Sequence, residues 1–277
     1  TNNAIKFLMA QYRAIFKNAN IAMFAAIAAA ALAAGQAQAA TTGWGNLASG
    51  DKVSSNVTIS GSGAVTNNGG FDLTVTSGTL TFEGSGSAAN FTLAQGKTGT
   101  ITIDGEQAKL AIGATGKSGA TVAVTSLSVN KGEATVGGFD QSNSLTAGAI
   151  TIGTAPVATP PADGGAKAAA AATAKVTIGK SGSLAASGDG STFTIYSNGE
   201  LAFSNTATDA SSTVTAKTLN LNGGKISVAK SGSATISGSI AADAGTIEIG
   251  GDDQNTGLKV TGNVTFTNGG ALTIAKS

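Results

Sequence analysis

Residues 175–183 read KVTIGKSGS, and residues 225–233 read KISVAKSGS. In each copy, apolar and polar residues alternate for about one short strand, and a Ser-Gly turn follows. Alternation with a period of two residues, bounded by turn residues, predicts a β-strand with one buried face. Residues 109–113 (KLAIG) form a third, shorter copy. The sequence therefore predicts a protein that is built from a repeated strand unit.

Outward from these copies, the same alternation continues from Val53 to the end of the chain, whereas no helical period survives after residue 40. The strand units are short, three to five residues, and the repeats are irregular, roughly 18 to 25 residues long. Clear examples are Val57-Thr58-Ile59, Leu73-Thr74-Val75, Phe91-Thr92-Leu93, Ile101-Thr102-Ile103, Val176-Thr177-Ile178, Phe193-Thr194-Ile195 and Val264-Thr265-Phe266.

This pattern predicts an all-β fold, a right-handed parallel β-helix (β-solenoid) with three short strands per coil. A single coil cannot bury its apolar residues, but stacked coils bury them in a continuous interior. Asn-Gly-Gly turns at residues 68–70, 222–224 and 268–270 are expected at tight corners. A β-sandwich is the alternative, although a sandwich needs longer strands than these.

The predicted solenoid has two parts, residues 40–155 and 175–277, separated by a Pro/Ala-rich loop or insertion at 156–174. All three prolines of the chain lie in that segment. The last residues, 272–277, repeat the pattern of 226–231 and then stop in mid-repeat. We therefore expect the coils to continue beyond the end of this chain.

Residues 1–39 have the layout of a secretory signal peptide. Basic residues Lys6, Arg13 and Lys17 precede a 14-residue uncharged apolar run at 21–34, and the A-x-A site Ala37-Gln38-Ala39 follows. A 14-residue helix spans about 21 Å, which is short of the ~30 Å hydrocarbon core of a bilayer. We predict cleavage after Ala39; a retained membrane anchor or amphipathic helix is the alternative.

The composition excludes several chemistries. Charged residues are 11% of the chain, against about 25% in ordinary domains, and Cys and His are absent. The chain therefore has no disulfide, no zinc–thiolate site, no thiol nucleophile and no Ser-His-Asp triad. Its lysines are scattered singly rather than clustered, so no nucleic-acid partner is predicted.

Two lysines stand in a context similar to the end of a phosphate-binding P-loop, at Gly116-Lys117-Ser118 and Gly179-Lys180-Ser181. A P-loop also needs a glycine five residues before the Gly-Lys pair, where this chain has Ala111 and Ala174. We interpret both lysines as corner residues of the solenoid and predict no nucleotide cofactor.

Four carboxylates are candidates for paired acid–base chemistry on sugars or for a calcium site. They are Asp140, Glu248, Asp252 and Asp253. Few aromatic platforms for sugars are present, since Trp44, Tyr12 and Tyr196 are the only Trp and Tyr residues. Neither the EF-hand pattern nor the GGxGxD pattern is met. We interpret the Asp residues as turn formers and predict no catalytic, cofactor-binding or metal-binding residue, and hence no enzyme.

Thr-x-Thr pairs occur repeatedly, as they do on the flat face of ice-binding solenoids. They are Thr74/Thr76, Thr79/Thr81, Thr100/Thr102, Thr213/Thr215 and Thr265/Thr267. The spacing of these pairs is irregular, so no continuous ladder of Thr-x-Thr pairs is implied. Threonine is simply suited to exposed strand positions.

Taken together, the long basic signal segment, the Cys-free and His-free body and the degenerate Gly/Thr/Asn-rich coils resemble the passenger region of autotransporters (type V secretion). Filamentous-haemagglutinin-like adhesins are similar. The resemblance covers the whole chain but assigns no role to any single residue. It implies export by the Sec machinery, then passage through the periplasm and an outer-membrane β-barrel to the surface of a Gram-negative bacterium.

From this resemblance we expect a non-enzymatic surface protein, an adhesin or structural stalk that binds molecules of host or neighbouring cells. The alternative is a self-assembling surface-layer or filament subunit that associates through its solenoid ends.

Overall fold

A computed structural model describes residues 40–41, 47, 49–66, 71–93, 99–156, 173–204, 211–229, 232–250 and 256–275. The signal segment, its cleavage site Ala37-Gln38-Ala39 and most of the 156–174 segment lie outside the described residues. The chain divides into two compact units, Thr1–Ala40 and Thr41–Ser277, and the solenoid belongs to the second.

No described residue is helical, so this part of the chain contains no apolar helix long enough to cross a membrane. The described residues form strands and the turns between them. In chain order the strands are β1 (Ala40–Thr41), β2 (Lys52–Val53), β3 (Val57–Gly61), β4 (Ala64–Thr66), β5 (Leu73–Val75), β6 (Gly78–Gly84), β7 (Ala89–Thr92), β8 (Thr100–Ile112), β9 (Ala120–Val136), β10 (Asn143–Ile152), β11 (Ala174–Gly179), β12 (Gly182–Ala186), β13 (Thr192–Tyr196), β14 (Gly199–Ser204), β15 (Ser211–Asn222), β16 (Lys225–Ala229), β17 (Gly232–Asp243), β18 (Thr246–Ile249), β19 (Thr256–Val260), β20 (Val264–Thr267) and β21 (Ala271–Ile274).

The described pairings between these strands are parallel, and each joins a strand to one in the next coil. For example, Leu80 of β6 pairs with Leu110 of β8, which pairs with Ala134 of β9. This arrangement confirms the parallel β-solenoid. It also excludes the sandwich alternative for the described part of the chain, because sandwiches are built from antiparallel strands.

Three faces make up each coil, and each face presents a ladder of inward apolar residues. The face-one ladder is Val57, Leu80, Leu110, Ala134, Val176, Leu201, Ile226, Ile247 and Leu272. The face-two ladder is Val53, Val75, Ile103, Val129, Ile152, Ile195, Leu221, Ala242 and Phe266. The face-three ladder is Phe91, Val122, Leu145, Leu184, Val214, Ile236 and Val260.

The predicted division of inward and outward residues is confirmed. Val176 and Ile178 are fully buried, whereas Thr177 between them points outward and is half-buried. This follows from the strand geometry, because successive side chains lie on opposite faces of a strand. Stacking therefore puts Val, Ile, Leu and Phe residues of successive coils in one interior.

Several strands are longer than the sequence predicts. β9 runs for 17 residues and β8 for 13, against the expected three to five. The reason is that β9 pairs with β7, then with β8 and β10, and again with β8 while it bends around the corners. The two strands continue through the bend even though their register shifts there, between Ile103 and Asp104 and between Asp104 and Lys109.

Two of the three Asn-Gly-Gly corners lie in the described residues and adopt the expected backbone. Gly223 has a φ of 77°, and Asn268 and Gly269 have φ values of 50° and 85°. These corners lead directly into the face-one strands β16 and β21. The third predicted corner, 68–70, is outside the described residues.

The last described coil leaves core positions exposed. Val264, Leu272 and Ile274 are 40%, 50% and 69% exposed, although they continue the inward ladders. One coil earlier, Ile240 and Ile247 are at most 2% exposed. The difference arises because no described strand pairs with β20 or β21 on their outer edge.

Candidate functional site

A line of alternating charges runs across consecutive coils on the outside of face one. We call it the charged stripe, and its members are Lys109, Glu133, Lys175, Glu200, Lys225 and Glu248. The first five are direct register partners from one strand to the next. The sixth lies two residues beyond Thr246, the register partner of Lys225, and its side chain reaches back to Lys225.

The charged stripe consists of three ion pairs. Lys109 Nζ lies 3.5 Å from Glu133 Oε2, and Lys175 Nζ lies 3.4 Å from Glu200 Oε2. The third pair is the closest, with Lys225 Nζ 2.7 Å from Glu248 Oε2. Each pair joins adjacent coils, so the stripe has three positive and three negative groups and is neutral as a whole.

Glu200 is the most strongly engaged member of the stripe. Burial by itself raises the pKa of this carboxyl, but the Ser227 hydroxyl and the ammonium groups of Lys175 and Lys225 outweigh it and hold the pKa below its usual value. The Ser227 hydroxyl donates a hydrogen bond to Glu200 Oε1 at 2.5 Å. Glu200 is therefore fixed as a carboxylate between two lysines at neutral pH.

An open depression of about 550 Å³ follows the stripe. Its charged lining comes from the stripe between Glu133 and Glu248, while Thr177, Ala202 and Ser227 contribute small side chains. The alternating charges of this lining suit electrostatic contact with a surface of mixed charge.

Two members of the stripe, Glu133 and Glu200, were not singled out from the sequence, and Glu248 was named only as a candidate acid. The lysine units at Lys109, Lys175 and Lys225 are predicted as one repeated motif, and the structure indeed places them in one line. The intervening coils contribute Glu133-Ala-Thr-Val and Glu200-Leu-Ala-Phe, which have the same alternation with Glu in place of Lys. A search for any charged residue before an apolar–small–apolar triplet would have found them.

The two lysines in P-loop-like contexts each take part in an ion pair at the corner between face one and face three. Lys117 Nζ lies 3.1 Å from Glu83 Oε1, and Glu83 also accepts a hydrogen bond from Ser60. Lys180 Nζ lies 2.6 Å from Asp140 Oδ1. The hydrogen bond from Lys180 and its positive charge hold the pKa of Asp140 below its usual value. Both lysines thus tie neighbouring coils together.

The structure keeps the two described candidate carboxylates, Asp140 and Glu248, apart. Asp140 follows β9 and is paired with Lys180, whereas Glu248 belongs to β18, several coils away, and is paired with Lys225. Asp252 and Asp253 lie outside the described residues. Among the described residues, no group of three or more His, Cys, Asp or Glu side chains is placed to hold a metal ion.

In the described register no Thr-x-Thr pair stacks directly on another such pair, but single rows of mixed Ser and Thr residues do form. On face two, outward register partners in successive coils are Thr74, Thr102, Ser128, Thr151 and Thr194. On face three they are Thr121, Ser144, Ser183, Thr213 and Thr235. The strands keep their register while turns of different length absorb the irregular spacing along the chain. Sequence spacing alone therefore conceals these rows.

Replacing Glu200 with glutamine is expected to reduce the acid sensitivity of folding. Because the pKa of Glu200 is lowered on folding, its contribution to stability is present above the ordinary value of 4.5 and is lost as pH falls through the folded pKa. At neutral pH the free energy of unfolding of the wild-type protein is expected to be about 0.2–1 kcal/mol higher than that of E200Q. Urea unfolding between about pH 6 and about pH 3 should show this difference shrinking.

The matched control is Glu106→Gln, which neutralises an exposed glutamate outside the stripe. A difference between wild type and E200Q that stays constant across the pH range would contradict the expected role of the carboxylate.

Comparisons of the chain with protein-family models, with curated proteins and with solved structures find no match.

Proposed function

We propose that this chain is a non-enzymatic, exported cell-surface protein whose β-solenoid acts as an adhesin or structural stalk. The observation that carries the proposal is the unbroken stack of parallel coils, whose outward rows consist of small hydroxyl residues and paired charges. Such a stack offers a long series of similar polar surfaces, which is the usual basis of binding by solenoid proteins.

The route of export is proposed from the sequence. Residues 1–39 supply a Sec signal that is cleaved after Ala39, and the absence of cysteine suits a chain that must cross the periplasm without forming disulfides. Passage through an outer-membrane β-barrel follows from the resemblance to autotransporter passengers. The coils are proposed to be right-handed, since nearly all parallel β crossovers have that hand.

As an adhesin, the solenoid would act by many weak contacts rather than by one deep pocket. Repeated hydroxyl rows on faces two and three present equivalent groups at each coil, about 4.8 Å apart. Display of many copies on one cell multiplies such contacts and gives avidity without a single strong site.

The test is expression of the gene in a Gram-negative host with an epitope tag in the exposed turn at residues 187–190. We expect antibody to label intact cells and the exported protein to begin at Ala40. An Ala37→Arg variant, which spoils the cleavage site, serves as the matched control for processing. Labelling only after cell lysis would contradict surface export.

Binding is tested separately with beads that carry the purified chain. We expect the beads to attach to host or neighbouring bacterial cells and the soluble chain to compete. Turnover of a polysaccharide by the same purified chain would contradict the non-enzymatic part of the proposal.

A further inference from the structure

From the order of charges along face one, we infer that the charged stripe is an interaction surface for a second copy of this chain, bound side by side in the antiparallel direction. The inference concerns face one and does not depend on export or on the coils at the ends of the solenoid.

The stripe is self-complementary because it holds an even number of alternating charges. It begins with Lys109 and ends with Glu248, so reading it backwards exchanges every sign. When an antiparallel copy lies opposite, Lys109 faces Glu248 of the partner subunit. In the same way Lys175 faces the partner's Glu200. The second charge, Glu133, faces the fifth charge of the other copy, the partner's Lys225. Every contact between the copies then joins a lysine to a glutamate.

A parallel copy in register lacks this match. It would set each lysine against the same lysine of its neighbour, and like charges placed directly opposite are destabilising. Shifting a parallel copy by one coil restores the pairing inside the stripe but leaves a charge without a partner at each end. The antiparallel orientation is therefore the one that satisfies all six charges.

The charges remain accessible to a second copy although they are already paired within the chain. The exposed fractions of their side chains run from 29% at Glu200 to 54% at Lys109. Each ion pair of one copy can therefore lie against an ion pair of the second copy in which the lysine and the glutamate are exchanged. The two pairs then form a cluster of four alternating charges. The coil spacing of about 4.7–4.9 Å is the same in both copies, so the match extends along the whole stripe.

The symmetry of this contact determines the oligomer that it forms. The twofold axis runs between the two copies, at right angles to the stripe, and at the level between Lys175 and Glu200. A contact of this kind uses the same patch on both subunits and closes on itself. We therefore expect a dimer, whereas stacking through the solenoid ends would give open filaments.

The first experiment is sedimentation of the full chain over a range of concentrations at low and high salt. Surface charge pairs are screened as ionic strength rises, so we expect the dimer to dissociate between about 0.02 M and about 0.5 M NaCl, with a dissociation constant roughly tenfold higher or more. A chain that stays monomeric at low salt, or an oligomer that salt does not affect, overturns the inference.

The second experiment exchanges signs without changing composition. A first-pair exchange (Lys109→Glu with Glu133→Lys) keeps an ion pair within the chain but sets like charges against the partner's Lys225 and Glu248. A last-pair exchange (Lys225→Glu with Glu248→Lys) has the same effect from the other end. Each variant alone should lose the dimer, while an equimolar mixture should form a heterodimer, because the two altered orders complement each other.

The central exchange (Lys175→Glu with Glu200→Lys) is the matched control. Within the chain it creates like-charged neighbours, as the other two exchanges do. In the dimer, however, the carboxylate that Lys175→Glu introduces would face the ammonium group that Glu200→Lys introduces in the second copy, so the dimer should persist. Formation of the heterodimer in the mixture also shows that the first-pair and last-pair variants are both folded. Dimers that survive the first-pair exchange, or a mixture that stays monomeric, overturn the inference.

Discussion

Replacing Gly238 with alanine is expected to destabilise the solenoid by about 3 kcal/mol or more. Gly238 lies inside β17 with a φ of 137°, a backbone conformation that side chains rarely adopt. A Cβ atom built there would overlap the carbonyl oxygen of Ala216 in the preceding coil. Because that oxygen belongs to the backbone, relief requires a shift of the coil and not a side-chain rotation. Denaturant unfolding followed by circular dichroism measures the loss.

Gly257→Ala is the matched control for this substitution. Gly257 also lies in a strand on the same side of the stack, β19, but nothing lies within 4 Å of a Cβ atom built on it. Its substitution should change the free energy of unfolding by no more than about 0.5 kcal/mol. If both glycine variants behave alike, close approach between the coils does not limit the position of Gly238.

Truncation of Phe193 to alanine is expected to cost about 3–5 kcal/mol. Phe193 is fully buried and stands in the face-two interior between Ile150 and Leu219 of the adjacent coils. Removal of the ring leaves a cavity bounded by backbone that is hydrogen-bonded on both sides, so the interior cannot collapse to fill it. Phe193→Leu, which retains most of the volume, should lose much less.

The loss of stability in F193A is also expected to be confined to the coils near the substitution. In a solenoid each coil contacts only its neighbours, so stability is close to a sum of coil and interface terms. Amide hydrogen exchange in F193A should therefore increase most in β10, β13 and β15 and least in β3 and β20. Uniform acceleration along the described chain would show that the coils unfold as one cooperative unit instead.

The inward and outward positions of the fold could be predicted because they depend on local alternation. Val176-Thr177-Ile178 and Phe193-Thr194-Ile195 each show one buried side and one outward side without any knowledge of their partners. The stacking partner of each strand could not be read in the same way. Thr151 pairs with Thr194 across 43 residues, which include the Pro/Ala-rich segment, whereas Val57 pairs with Leu80 across 23.

The charged stripe could be predicted only in part for the same reason. The lysine units repeat visibly, but a glutamate that alternates with them becomes meaningful only when the pairing of the coils is known. The ends of the strands could not be predicted from the sequence either, because β9 continues through two corners as a result of hydrogen bonds to its neighbours. Register is a property of the assembled stack, and an isolated repeat does not contain it.

The alternation of sign along face one also limits how the length of this solenoid can change. Coils can be lost or duplicated without disturbing distant parts of the stack, because their contacts are local. Loss of the single coil that carries Glu200 would bring Lys175 against Lys225, with two like charges in register. Loss of two successive coils would keep a lysine beside a glutamate. Coil number in this part of the chain is therefore expected to vary in steps of two.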